Sequence, residues 1–186
     1  LPRLFVAIAM PSEITDTLDR LCHGLPDARW TDLDDLHLTI RFVGEVDHHA
    51  FYELGELLAS ISLPPFELEL AGIGQFPPRG ALRQLWIGVS PNEALDRLKR
   101  RVDRCVGEAG VPPERRKFVP HVTLARFRQP PPPHRLATYL ARHSLVRLPA
   151  FPVSAFGLYS SILRADGAEH VLEAEYDFVT GHMTRH

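Results

Sequence analysis

Apolar residues along this chain follow two rhythms, one of period two and one near 3.6, and the switches between them mark the elements. Leu4–Ala9 is a continuous apolar run that reads as a buried strand. Met10-Pro11 turns the chain, Ser12 is placed to cap a helix, and Ile14, Leu18, Leu21 and Leu25 recur at helical spacing until Pro26 stops them. Leu36–Val43 alternates as a strand and ends at Gly44. Asp47 is placed to cap a second helix carrying Phe51, Leu54, Leu58 and Ile61, with His48 and His49 solvated in its first turn. Pro64-Pro65 breaks it, and Phe66–Leu70 alternates apolar with acidic residues, as a half-buried strand does.

Ala71–Arg83 is rich in Gly and Pro and reads as a linker. Leu85–Val89 is another apolar strand. Ser90-Pro91-Asn92-Glu93 has the layout of a capping box, with Ser90 as the cap, ahead of a helix whose apolar face is Leu95, Leu98, Val102, Cys105 and Val106. Arg97, Lys99, Arg100, Arg101 and Arg104 are expected on its solvated side. Gly110 and Pro112-Pro113 close it, and Phe118–Phe127 reads as a strand. Pro130–Pro133 is a stiff connector to a short helix near His134–Leu145. Phe151–Ile162 is a strand and turn, Glu169–Val179 closes a hairpin across Asp166-Gly167, and the tail from Gly181 to His186 is expected to fray.

The order strand, helix, strand, helix, strand thus occurs twice, at a near-constant offset of about 80–85 residues, which predicts an internal duplication. The expected architecture is a single bilobal α+β domain, with approximate halves 1–78 and 79–186 related by a pseudo-twofold axis. Two mostly antiparallel sheets would line a central cleft, with helices packed outside.

Composition narrows the function. At 186 residues and 45% hydrophobic, the chain can bury a proper core. A net charge of −2 excludes coating nucleic acid by bulk charge, though not a local basic patch. The 21 basic residues are nearly all Arg, Lys99 and Lys117 being the exceptions. The two cysteines, Cys22 and Cys105, fall on apolar helix faces and read as buried free thiols. Apolar runs are far shorter than the ~18 residues of a membrane span. The opening Leu1–Phe5 has no signal-peptide layout, so a cytoplasmic monomer with no membrane contact is expected.

Candidate chemistry lies where the duplication repeats most closely. His37-Leu38-Thr39-Ile40 and His121-Val122-Thr123-Leu124 each set an imidazole and a hydroxyl two residues apart, on one face of a strand. Face to face, the halves would offer two imidazoles and two hydroxyls to one cleft. A neutral His can take a proton from water while a protonated His gives one to a leaving oxygen. Each Thr can donate to a non-bridging phosphate oxygen. That set suits phosphodiester chemistry without a metal. The ten histidines include no HExxH-type pair and there is no Walker loop, so no metal or other cofactor is expected.

These stretches resemble the two-histidine phosphoesterase superfamily, in particular the RNA 2′,3′-cyclic phosphodiesterases also called 2′-5′ RNA ligases. The resemblance rests on Arg3–Ile8, Leu36–Glu45, Leu85–Val89, Lys117–Arg126 and Leu158-Tyr159-Ser160-Ser161, and covers nearly the whole chain. It implies a bilobal α+β fold and the opening of a 2′,3′-cyclic phosphate at an RNA 3′ end to a 2′-phosphate. It further implies His37 as proton donor to the departing 3′ oxygen, His121 as the base that activates water, and Thr39 and Thr123 as the phosphate holders. Phe42 and Arg126, each five residues after its His, match positions that sandwich the terminal base.

On a regular strand, residues five apart face opposite ways, so Phe42 and Arg126 need a bulge or a strand end to reach the site. Spacing alone leaves open which histidine is the acid. The expected partner is an RNA carrying a cyclic phosphate end, or a small cyclic nucleotide. The alternatives are 2′-5′ ligation by the reverse reaction and a non-catalytic RNA-end-binding module.

Overall fold

In the computed structural model, which describes residues 1, 3–178 and 183–185, the first strand, β1 (Arg3–Ala9), is apolar on both faces because both are covered. Leu4, Val6 and Ile8 point into the main core, while Phe5 and Ala7 form a small cluster with Tyr159 on the other side. Helix α1 (Ser12–Asp19) buries Ile14 and Leu18 against that core. It is shorter than the apolar spacing suggested: its N-cap is Pro11, not Ser12, and the turns after Asp19 carry Leu21 and Leu25 into the interior without a regular helix.

The short β2 (Arg29–Trp30) and a 3₁₀ turn (Leu33–Asp35) lead into β3 (His37–Glu45). This strand runs through Gly44, which takes φ +87, rather than ending there. Helix α2 (His48–Ala59) is capped as expected, the Asp47 carboxylate accepting from Ala50 N–H at 2.8 Å, and His48 and His49 are exposed. The strands β4 (Phe66–Leu68) and β5 (Leu70–Phe76) follow.

The Gly- and Pro-rich stretch is therefore not a linker. Ala71–Phe76 is strand, and Gly74 is required there by packing: a Cβ would lie 2.2 Å from the Trp86 ring. The hairpin returns through β6 (Gln84–Val89) to helix α3 (Glu93–Glu108). Asn92, not Ser90, caps this helix, accepting from Leu95 N–H at 2.9 Å, while the Ser90 hydroxyl donates to Glu69. Lys99 is also not solvated. It lies between Leu95 and Val102 on the apolar stripe, is buried, and donates to the Ile40 carbonyl and to Glu114. Arg41 joins the same network through Asp103 and the Pro112 carbonyl. These bonds tie β3 and α3 to the segment that enters the second histidine strand.

That strand, β7 (His121–Arg126), starts later than the apolar pattern implied, with Phe118–Pro120 outside it. Helix α4 (Pro133–His143) and strands β8 (Phe151–Val153), β9 (Ala155–Arg164) and β10 (Gly167–Asp177) complete the second repeat. The expected frayed tail contains a further strand, β11 (Met183–Arg185), paired with β10; residues 181, 182 and 186 lie outside the described residues. Cys22 is half-buried and Cys105 buried, both as free thiols.

The result is the expected α+β class with antiparallel sheets. The large sheet runs β11-β10-β9-β1-β3-β7-β6-β5, with β2 beside β7, and β4 pairs with β8 in a second sheet. Its two wings join at one registered pair, Leu38↔Val122. The repeats interlock: β9 of the second half pairs with β1 of the first, and β4 of the first with β8 of the second.

Candidate active site

At the join between β3 and β7, Leu38 and Val122 are paired and fully buried in the core. Their neighbours His37, Thr39, His121 and Thr123 are partly exposed and face the other way. On that antiparallel register His37 lies opposite Thr123 and Thr39 opposite His121, so the four side chains form a checkerboard on one surface. The structure thus brings both His-x-Thr pairs together.

Phe42 and Arg126 reach the same surface because each strand carries a bulge. Along β1, the partners of Val6 and Ala7 are Arg41 and Thr39, so Ile40 is the extra residue. Along β6, the partners of Leu85 and Trp86 are Ala125 and Thr123, so Leu124 is extra. Two consecutive residues are buried at each bulge, Ile40-Arg41 and Leu124-Ala125, and the side-chain phase then flips. Phe42 emerges 62% exposed, which rules out ordinary core packing as its role. Its ring lies 6.1 Å from that of Phe5.

His121 sits in a polar network. Its Nδ1 donates to the Val119 carbonyl at 2.6 Å, and its Nε2 lies 3.3 Å from Nε2 of Gln84. The Gln84 amide also donates to Thr123 Oγ1 at 2.6 Å and accepts from Arg126 Nη1 at 3.1 Å. Phe76 and Trp86 flank the imidazole at 5.0 and 5.6 Å between ring centroids. Burial lowers the His121 pKa, Arg126 lowers it further, and the bond to Val119 opposes both. A neutral imidazole with Nε2 unprotonated is the form of a general base.

His37 sits in an aromatic wall. The rings of Tyr159, His170 and Phe5 lie 4.7, 5.7 and 6.1 Å from it. Burial, and then the neighbouring His170, push its pKa down to about 4, against a bond to the Asp35 backbone that raises it. His170 lies 3.4 Å from the Asp35 carboxylate. The substrate-free His37 is therefore neutral at pH 7, and a bound anion is needed to charge it.

Gln84, Tyr159 and His170 are the surroundings that sequence reasoning missed. Gln84 carried a usable signal. It immediately precedes the apolar run Leu85–Val89, and the duplication places it near the counterpart of Phe5. Among the described residues, no three His, Cys, Asp or Glu side chains converge as a metal site. Among the described residues, no helix is long and apolar enough to cross a membrane.

The sequence profile of the 2′-5′ RNA ligase superfamily matches residues 10–162. An RNA 2′,3′-cyclic phosphodiesterase of Aeropyrum pernix is 35% identical over 150 residues, covering 80% of this chain and 85% of that protein. The protein of the same name from Methanocaldococcus jannaschii is 28% identical, covering 89% of this chain and 94% of its own length. Among solved structures, E. coli LigT complexed with 3′-AMP aligns with a TM-score of 0.76 at 28% identity, over 97% of this chain and 99% of that one.

Proposed function

The chain belongs to the 2′-5′ RNA ligase superfamily, and from that premise we propose that it hydrolyses the 2′,3′-cyclic phosphate at an RNA 3′ end to a 2′-phosphate, without a metal. The observation that carries the reading is the checkerboard of His37, Thr39, His121 and Thr123 on one surface, with Phe42 and Arg126 brought beside it by the two bulges.

The reaction follows from these positions. The cyclic phosphate lies over the checkerboard, with the Thr39 and Thr123 hydroxyls donating to its non-bridging oxygens. Its negative charge raises the proton affinity of His37, which binds the substrate as an imidazolium. His121 Nε2 takes a proton from water as the water oxygen attacks phosphorus. The bond from phosphorus to the 3′ oxygen breaks, and that oxygen takes the proton of His37. The 2′-phosphate departs, and the histidines exchange protons with solvent to restore the starting state. Phe42 offers a ring face to the terminal base and Arg126 a guanidinium from the other wing. Names of relatives as RNA 2′,3′-cyclic phosphodiesterases and the 3′-AMP complex of LigT support this substrate class.

The test is an RNA oligonucleotide ending in 2′,3′-cyclic phosphate, incubated with chelator and without ATP. Wild-type protein should yield a 2′-phosphate. His37→Ala and His121→Ala should each lose about 10²–10⁴-fold in turnover with the fold kept. A 3′-phosphate product, a need for metal, or unchanged activity in both variants would sink the reading. Joining of the cyclic end to an added 5′-hydroxyl RNA would identify the reverse, ligating direction. Binding without turnover would identify an RNA-end-binding module.

A further inference from the structure

The two wings of the site differ at one matched position. Phe5 on β1 is paired with Phe42 on β3, and Gln84 on β6 is paired with Arg126 on β7. Phe5 and Gln84 are thus equivalent in the duplication, each opposite the fifth residue after its histidine. Phe5 gives His37 a hydrocarbon edge and no hydrogen bond. Gln84 gives His121 an amide.

The orientation of that amide is decided by chemistry. Arg126 can only donate, so the Gln84 atom facing it is the carbonyl oxygen. The NH₂ group therefore faces Thr123 Oγ1 and His121 Nε2. The bond to the Val119 carbonyl requires the His121 proton on Nδ1. Nε2 then meets the amide N–H with a lone pair. An imidazolium would set N–H against N–H. At Thr123, Oγ1 accepts from the amide, so its own hydrogen stays available to a phosphate oxygen.

We infer that Gln84 is a positioning residue that selects His121 as the base, because its amide favours the neutral imidazole with Nε2 unprotonated and holds that lone pair until the attacking water takes its place. Phe5 makes no such demand of His37, which stays free to charge when an anion arrives. The inference rests on the preceding reading for what the base acts on, but the state of the imidazole can be measured without turnover.

The groups that face His121 bound the prediction. Arg126 is on its own strand, with Arg29 of β2 beside it. His37 and Thr39 face it from β3, while β5 and β6 present Phe76, Trp86 and Gln84, none of them charged. Gln84→Met keeps length and removes the donor while Arg126 remains. Gln84→Glu places an acceptor against the ring instead.

The experiment is an NMR titration of the histidine ring protons in wild type, Q84M and Q84E, with kcat/KM profiles on a cyclic-phosphate oligonucleotide. The His121 titration is expected to rise by about one pH unit in Q84M and further in Q84E, with His37 shifted less. The acidic limb of kcat/KM should move the same way, so that Q84E loses most at low pH. A His121 titration unchanged in both variants, or one that moves no more than that of His37, would overturn the inference. So would a loss of kcat with no displacement of the limb, the result expected of a residue that merely holds the strand. If no variant or wild type turns over the oligonucleotide, the ring titration still decides the role of Gln84, and only the reading of the substrate falls.

Discussion

His37 and His121 are the same side chain on matching strands, each bonded to the carbonyl two residues before it, yet their surroundings demand different things of them. His37 is the more desolvated, with its pKa near 4 in the absence of substrate. A bound phosphate must raise it, so the alkaline limb of the kcat profile, which reports the complex, should lie at higher pH than that of kcat/KM, which reports the free enzyme. Coincident limbs would remove His37 as the acid. The same group makes folding pH-dependent. Its folded pKa is below its unfolded value, so the unfolded chain binds the proton more readily and stability falls as pH drops from about 6.5 toward 4. His37→Gln should relieve about 2 kcal/mol of that loss at pH 4.5, compared with wild type by urea unfolding at pH 7 and 4.5. Equal losses in both proteins would contradict the buried neutral state.

At the scale of elements, the site depends on departures from regular strands. Were Ile40 and Leu124 held in regular strands rather than in bulges, Phe42 and Arg126 would point into the core. The strand that backs His121 depends on Gly74, over which the Trp86 ring lies. Gly74→Ala should displace that ring, cost roughly 1–3 kcal/mol and lower turnover, read by thermal unfolding and Trp fluorescence; an unchanged Tm would show that the ring can move freely. These departures also explain what the sequence made legible. The two His-x-Thr strands could be read because period two holds across His37–Thr39 and His121–Thr123. Neither bulge could be placed, since Ile40 and Leu124 keep the period-two phase and only the pairing shows that Arg41 and Ala125 beside them are buried as well. Ala71–Phe76 was hidden because Gly74, which admits Trp86, sits in a Gly- and Pro-rich stretch of linker composition. Lys99 occupied an apolar-stripe position, but its partners Ile40 and Glu114 lie elsewhere in the chain. Gln84 fell one residue outside an apolar run, and its meaning came only from the partners that pairing brought to it.

At the scale of the molecule, neither repeat owns its own wing. β1 is held between β3 of its own half and β9 of the other, and β6 lies beside β5, which comes from the first half. We propose that residues 1–78 and 79–186 fold only as one unit. Each expressed alone should show no cooperative unfolding transition, and the two together should recover both a transition and turnover. A separate, sharp transition for either fragment would show that the lobes are independent. The interlocking has a genetic consequence. Two copies of a single half could build the same histidine pair, but one codon would then write both matched positions, and a substitution favourable beside one histidine would be imposed on the other. A single reading frame holding both repeats lets Phe5 and Gln84 diverge, so selection can tune one proton carrier without disturbing its twin.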